Sequence, residues 1–205
     1  EQTFSVKSVQ AFFSFNEVCL GFPTQFTDES VATNGVASWL WDFGDGTTST
    51  LQDPQHIYST SGTFNVTLTI TDSQSSTDYL MQAVSVKPKP TANFTAPTVC
   101  QGTPTSFTNT TNDNGLTINQ WHWDFGDTYS SSVQNPGTHS YSFSGDYSVI
   151  LSAQADNGCI DEISKTVSVI GYPTAAVSAD GATTFCTGQS VTLSTPVNAN
   201  YTYVW

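Results

Sequence analysis

Asp42, Asp45 and Asp72, with Asp28 and Glu29 in an earlier loop, are the carboxylates that turns in the chain could bring to one end of a folded unit. A hard cation such as calcium takes about six to eight oxygens, several of them charged, and Asp28, Asp42, Asp45 and Asp72 are the candidate ligands for one. The same side chains have a second use: an Asp in a turn accepts hydrogen bonds from nearby backbone amides and caps the reversal. An internal repeat favours the capping role, because Ala155 stands where Asp72 stood and Thr128 where Gly46 stood. His56 and His139 each precede an x-Tyr pair at matching positions, which points to structural imidazoles at a hairpin edge. His122 has Leu40 as its counterpart and is expected to face solvent. There is no Ser, His and Asp set, no His-Glu-x-x-His, no phosphate-binding glycine loop and no Cys-x-x-Cys, so a catalytic reading has nothing to rest on.

The elements that carry these residues are organised around Trp41-Asp42-Phe43-Gly44-Asp45-Gly46, which recurs as Trp123-Asp124-Phe125-Gly126-Asp127. Trp39 and Trp121 precede the two copies, so period-two alternation puts Trp39, Trp41 and Phe43 on one face of a strand, and that face reads as core. Gly44, Asp45 and Gly46 then supply residues that tolerate positive φ and let the chain reverse. This stretch resembles the signature of PKD domains, small immunoglobulin-like β-sandwich modules of bacterial surface and secreted proteins. The resemblance implies an all-β chain with two complete seven-stranded sandwiches in tandem and part of a third, arranged as a semi-rigid rod.

Taken in order, residues 1–7 resemble the last strand of a preceding module, since Thr-Phe-Ser-Val-Lys is like the Val-Ser-Val-Lys that closes the next unit. The first PKD-like module spans 8–88 and the second 89–171, with a repeat of roughly eighty residues. Phe64, Val66, Leu68 and Ile70 alternate with polar residues in the first, and Tyr147, Val149 and Leu151 do so in the second. Lys-Pro-Lys-Pro at 87–90 and Ile-Gly-Tyr-Pro at 170–173 are short linkers stiffened by proline. An incomplete third module occupies 172–205, where Cys186-Thr-Gly188 matches Cys100-Gln-Gly102. A half-sandwich cannot bury enough surface to offset its ordering entropy, so the polypeptide is expected to continue past Trp205 or, less favoured, to receive the missing strands from another protein.

The resemblance to two-cysteine PKD modules implies that Cys100 and Cys159 are bonded, closing a loop of about 60 residues and restricting the unfolded chain by roughly 4 kcal/mol. Cys19 then lacks a partner, because Ser76 stands at the position matching Cys159, and the mate of Cys186 would lie beyond Trp205.

With four Lys plus Arg against seventeen Asp plus Glu, a formal net charge of −13 leaves little to attract nucleic acid or anionic lipid. No apolar run approaches the roughly 20 residues that span a bilayer. The chain starts at Glu1 with no visible signal peptide, so a mature form or an excised piece is expected. Abundant Thr, Ser, Asn and Gly with scarce Lys suit an extracellular β-protein. The expected function is a non-catalytic spacer in a repetitive bacterial surface protein, an adhesin-like stalk of the kind exported by type IX secretion. Its expected partners are neighbouring modules of a longer chain, other surface proteins or glycans. The alternative is an accessory substrate-binding module of a secreted glycosidase or protease.

Overall fold

The computed structural model describes residues 8–172, 177–181, 190 and 192–194. Residues 1–7 and, in the third unit, Cys186, Val191, Tyr203 and Trp205 lie outside the described residues, and with them the expectations placed there. Of that unit the structure describes one short pair of strands, β19 (Ser178–Ala179) and β20 (Leu193–Ser194).

The first module contains β1 (Val9–Gln10), β2 (Phe13–Phe15), β3 (Val18–Cys19), β4 (Thr24–Asp28), β5 (Val31–Ala32), β6 (Val36–Asp42), β7 (Thr48–Ser49), β8 (Gln55–His56), β9 (Gly62–Asp72) and β10 (Thr77–Lys87). A five-stranded sheet in the order β3-β10-β9-β6-β7 faces a three-stranded sheet β2-β4-β8, with β1 and β5 paired at one end. The chain leaves one sheet for the other at Asn16-Glu17: β2 joins the small sheet, and β3 crosses to run parallel to the end of β10. The second module repeats the plan with β11 (Phe94–Thr95), β12 (Val99–Cys100), β13 (Thr105–Asn109), β14 (Ile118–Asp124), β15 (Ser130–Ser131), β16 (Gly137–His139), β17 (Gly145–Ala155) and β18 (Ile160–Ile170). Its sheets are β12-β18-β17-β14-β15 and β11-β13-β16. The register shift in β6 between Val36 and Ser38 recurs in β14 between Ile118 and Gln120, so the two copies share even their irregularities.

Alternation explains why these segments are strands. In β9, Val66, Leu68 and Ile70 turn inward and are fully buried while Thr67, Thr69 and Thr71 face outward. Each such aliphatic side chain contributes about 1.5–3 kcal/mol on burial. Trp41 and Trp123 are both fully buried, as the motif predicts. Phe13 and Phe26 lie 5.1 and 5.3 Å from the Trp41 ring, and Phe94 and Phe107 lie 5.2 and 5.8 Å from that of Trp123. Burial would strand each indole N–H, and each finds a loop carbonyl: Trp41 Nε1 donates to Leu51 O at 2.9 Å and Trp123 Nε1 to Val133 O at 3.1 Å. Trp39 packs only at the rim of the core, half-buried, where its Nε1 donates to Asp28 Oδ2 at 2.7 Å.

Candidate functional site

The motif hairpin is a locked structural unit in both modules. Gly44 and Gly126 have φ of 77° in each case, and a Cβ on either would sit 2.7 Å from a backbone oxygen, that of Asn65 or of Ser148. Only glycine lets the hairpin lie this close on the long central strand. Asp42 and Asp124 accept from the Gly44 and Gly126 amides at 2.9 and 2.8 Å. His56 Nε2 meets Asp45 Oδ2 at 2.7 Å, its ring stacked 4.2 Å from Phe43 and edge-on to Tyr58 at 4.5 Å. The second module repeats every contact with His139, Asp127, Phe125 and Tyr141. Below each imidazole a buried Tyr hydroxyl, that of Tyr58 or Tyr141, donates to the carbonyl of Phe43 or Phe125. Burial pushes both phenols up from their usual range. Burial also pushes the Asp45 carboxyl up, but hydrogen bonds from Thr47 and His56 outweigh it and hold the group below its ordinary value. His122 is exposed on the outer face of β14, as expected.

The four candidate calcium ligands are each engaged in local bonding. Asp72, buried, accepts from the Gln74 and Ser76 amides at 2.9 and 2.8 Å and closes the β9–β10 turn. Asp28 accepts from the Ser30 amide and the Trp39 indole. Asp45 accepts from the Thr47 amide and hydroxyl besides His56. Among the described residues, no three His, Cys, Asp or Glu side chains are grouped closely enough to hold a metal ion.

The junction between the modules is where the structure departs from the sequence reading. Cys159 is bonded to Cys19 of the first module, across a separation of 140 residues, and Cys100 is a free, exposed thiol. The expected Cys100–Cys159 bond is therefore incorrect, and strand geometry gives the reason. Cys100 pairs with Ile170 at the last residue of β18, whereas Cys159 immediately precedes the first. Eleven residues of extended chain separate the two ends, and at about 3.3 Å per residue this is roughly 35 Å, against the roughly 7 Å limit between bonded cysteine Cα atoms. The second module thus carries a cysteine at either pole, and the first carries Cys19 at the pole that matches that of Cys100. The far pole of the first module, where Cys19 pairs with Lys87 of β10, abuts the near pole of the second, where the Asn157-Gly158-Cys159 turn lies.

Polar contacts fasten the same junction. Lys89 Nζ reaches Asp161 Oδ1 at 2.6 Å, and the other oxygen of Asp161 accepts from the Ala92 amide at 2.8 Å. Asn157 Nδ2 donates to Pro88 O at 2.7 Å, and Asn114 Nδ2 to Lys89 O at 2.9 Å. The linker is half-buried, with Pro90 fully so. These junction residues escaped the sequence reading, although the unmatched Cys19 was a signal: a cysteine without a mate in its own module has to look to a neighbour.

A family model described as PKD domain matches residues 14–88 and again 86–170. Among curated proteins, the chain is 45% identical over 65 residues to collagenase ColA of Bacillus cereus, a match covering 31% of this chain and 7% of that protein. It is 37% identical over 70 residues to the pre-pro-metalloprotease PrtV of Vibrio cholerae, covering 32% of this chain and 8% of that one. Among solved structures, the PKD1 domain of Vibrio cholerae PrtV matches with 33% identity and a TM-score of 0.36, covering 38% of this chain and 94% of that domain. The matched segments are thus a small part of the curated relatives' length.

Proposed function

The chain belongs to the PKD-domain family of non-catalytic, immunoglobulin-like modules, and on that premise we propose that it is a tension-bearing spacer of a repetitive extracellular bacterial surface protein, an adhesin-like stalk. The observation that carries this reading is the Cys19–Cys159 bond across the module boundary. A pull entering through residues before Cys19 passes through the disulfide into Cys159 and leaves along β18, which is already extended. Both motif hairpins lie inside the bypassed loop and are shielded from extension. A flexible tether needs no such bond, and disulfides persist in oxidising compartments, which suits a location outside the cell. Surface proteins or glycans are the external partners this reading expects, recognised elsewhere along the array.

Stretching single molecules tests it. Releasing 140 residues at about 3.5 Å each should add roughly 500 Å of contour length, and only when the bond is reduced. Full extension of both modules without reductant would refute the reading. A second reading, an accessory substrate-binding module of a secreted protease or glycosidase, draws support from the curated relatives, a collagenase and a metalloprotease in which the similar segment is a small part. The length and remaining domains of the natural polypeptide decide between the two.

A further inference from the structure

We propose that the second module binds a neutral oligosaccharide in a cleft at the β14–β15 edge of its large sheet. His122, Asp124, Gly126, Thr128, Tyr129 and Ser130 line this open cleft, whose volume of about 550 Å³ lies in the range of small-ligand sites. The two copies of the motif hairpin carry the inference, because one backbone holds two sets of side chains. Phe43 N donates to Thr47 O and Phe125 N to Tyr129 O, both at 3.1 Å, and Asp42 and Asp124 accept from the amides of Gly44 and Gly126. Between residues 39–49 and 121–131 four of eleven positions differ: His122 replaces Leu40, Thr128 Gly46, Tyr129 Thr47 and Ser130 Thr48. All four line the cleft.

Two of these replacements work against local stability. Thr128 holds a φ of 79° where Gly46 holds 91°, in a backbone region that disfavours a β-branched residue. Thr47 Oγ1 donates to Asp45 Oδ1 at 2.6 Å, whereas Tyr129 offers Asp127 only its amide, at 3.3 Å. A strained residue and a forgone hydrogen bond side by side are what a binding site leaves in a hairpin that its sister copy builds without them.

The side chains specify the ligand. Tyr129 is 65% exposed on a backbone pinned by the hairpin, so its ring offers a fixed flat surface to the C–H face of a sugar. Asp124 Oδ1 is taken by the Gly126 amide at 2.8 Å, while Oδ2 makes no hydrogen bond to another described residue. The same holds for both ring nitrogens of His122 and for the hydroxyls of Thr128, Tyr129 and Ser130. A carboxylate that only accepts, beside an imidazole and hydroxyls that both donate and accept, matches the paired hydroxyls of a sugar. No Lys or Arg lines the cleft, and in a chain of net charge −13 a phosphate, sulfate or uronate would be repelled. An open cleft also takes a chain of sugars more readily than a single enclosed ring. The site is independent of the stalk reading, which places external partners elsewhere along the array, and it holds for a spacer and for an accessory module alike.

Amide chemical shifts test it, with cellohexaose, maltohexaose, xylohexaose and mannohexaose each titrated to millimolar concentration into the isotope-labelled 205-residue chain. The expected result is a saturable shift of the Tyr129 and Ser130 amides with at least one of the four. Tyr129→Ala should weaken that binding about tenfold or more. The variant that carries the first module's residues, His122→Leu with Thr128→Gly and Tyr129→Thr, should abolish it. This variant copies a hairpin that the chain already folds, so its urea midpoint should not fall, and a lost shift reports the site. No saturable shift with any of the four sugars, a shift centred on other residues, or binding that survives in the triple variant would overturn the proposal. So would tighter binding of a sulfated hexasaccharide, or shifts of His122 and Asp124 with zinc chloride and none with sugar. A chain that bound sugar here yet extended fully under force without reductant would sink the stalk reading and leave the site standing.

Discussion

Replacing Cys19 with Ser should destabilise the second module, although Cys19 belongs to the first. When the second module unfolds while the first stays folded, Cys19 and Pro88 remain fixed at one pole. The unfolding chain is then closed into a loop of about 70 residues, which in the chain-entropy model is worth about 4 kcal/mol. If both modules unfold together the loop is the full 140-residue separation and the figure is about 5 kcal/mol. Urea unfolding followed by tryptophan fluorescence reads the effect, because Trp41 and Trp123 are buried one in each module. With a slope of about 1–2 kcal/mol per molar for a small module, the midpoint of the Cys19→Ser protein should fall by about 2 M or more. The control is Cys100→Ser in the same 205-residue chain, in which Cys100 is an exposed free thiol, and the midpoint should stay unchanged. If Cys100→Ser lowered the midpoint and Cys19→Ser did not, the inter-module bond and the polar geometry behind it would be wrong.

Four other outcomes follow from the motif hairpins and the carboxylates. Gly44→Ala should lower the first module's stability by more than the roughly 1–2 kcal/mol of a positive φ, since its Cβ would meet the Asn65 carbonyl, whereas Thr128→Gly should raise the second module's by about 1 kcal/mol by relieving a φ of 79°; paired thermal melts check both signs. The Asp45 carboxyl titrates below its unfolded value, so its contribution is present above about pH 4 and is lost as the pH falls through the folded value. Unfolding midpoints at pH 7 and pH 3 should therefore drop further in the natural protein than in Asp45→Asn; an equal drop would remove Asp45 from the acid response. Asp72→Ala frees the Gln74 and Ser76 amides and should destabilise the first module equally in millimolar calcium and in chelator, while a loss seen only with calcium would make Asp72 a metal ligand.

What sequence alone determined is what local rules govern. Alternation at period two identified the strands and their inward faces, because a side chain's face depends only on its position along its own strand. The recurrence of Trp-Asp-Phe-Gly-Asp with its glycines marked both hairpins, because a turn is decided by a few consecutive residues. The roles of His56 and His139 were legible for the same reason: each imidazole packs on the Phe and pairs with the Asp of one short motif. The pairing of the cysteines was not. Cys100 and Cys159 belong to one module by sequence, yet an extended strand of eleven residues holds them at opposite poles. Cys19 and Cys159 are 140 residues apart, yet their Cα atoms come within 5.7 Å where two modules meet end to end. Which pole a residue occupies depends on strand direction within a finished sheet, and which poles touch depends on how one module seats on the next. Both are properties of the assembled tertiary structure, and they decided the covalent link that the resemblance to two-cysteine modules assigned to the wrong cysteine.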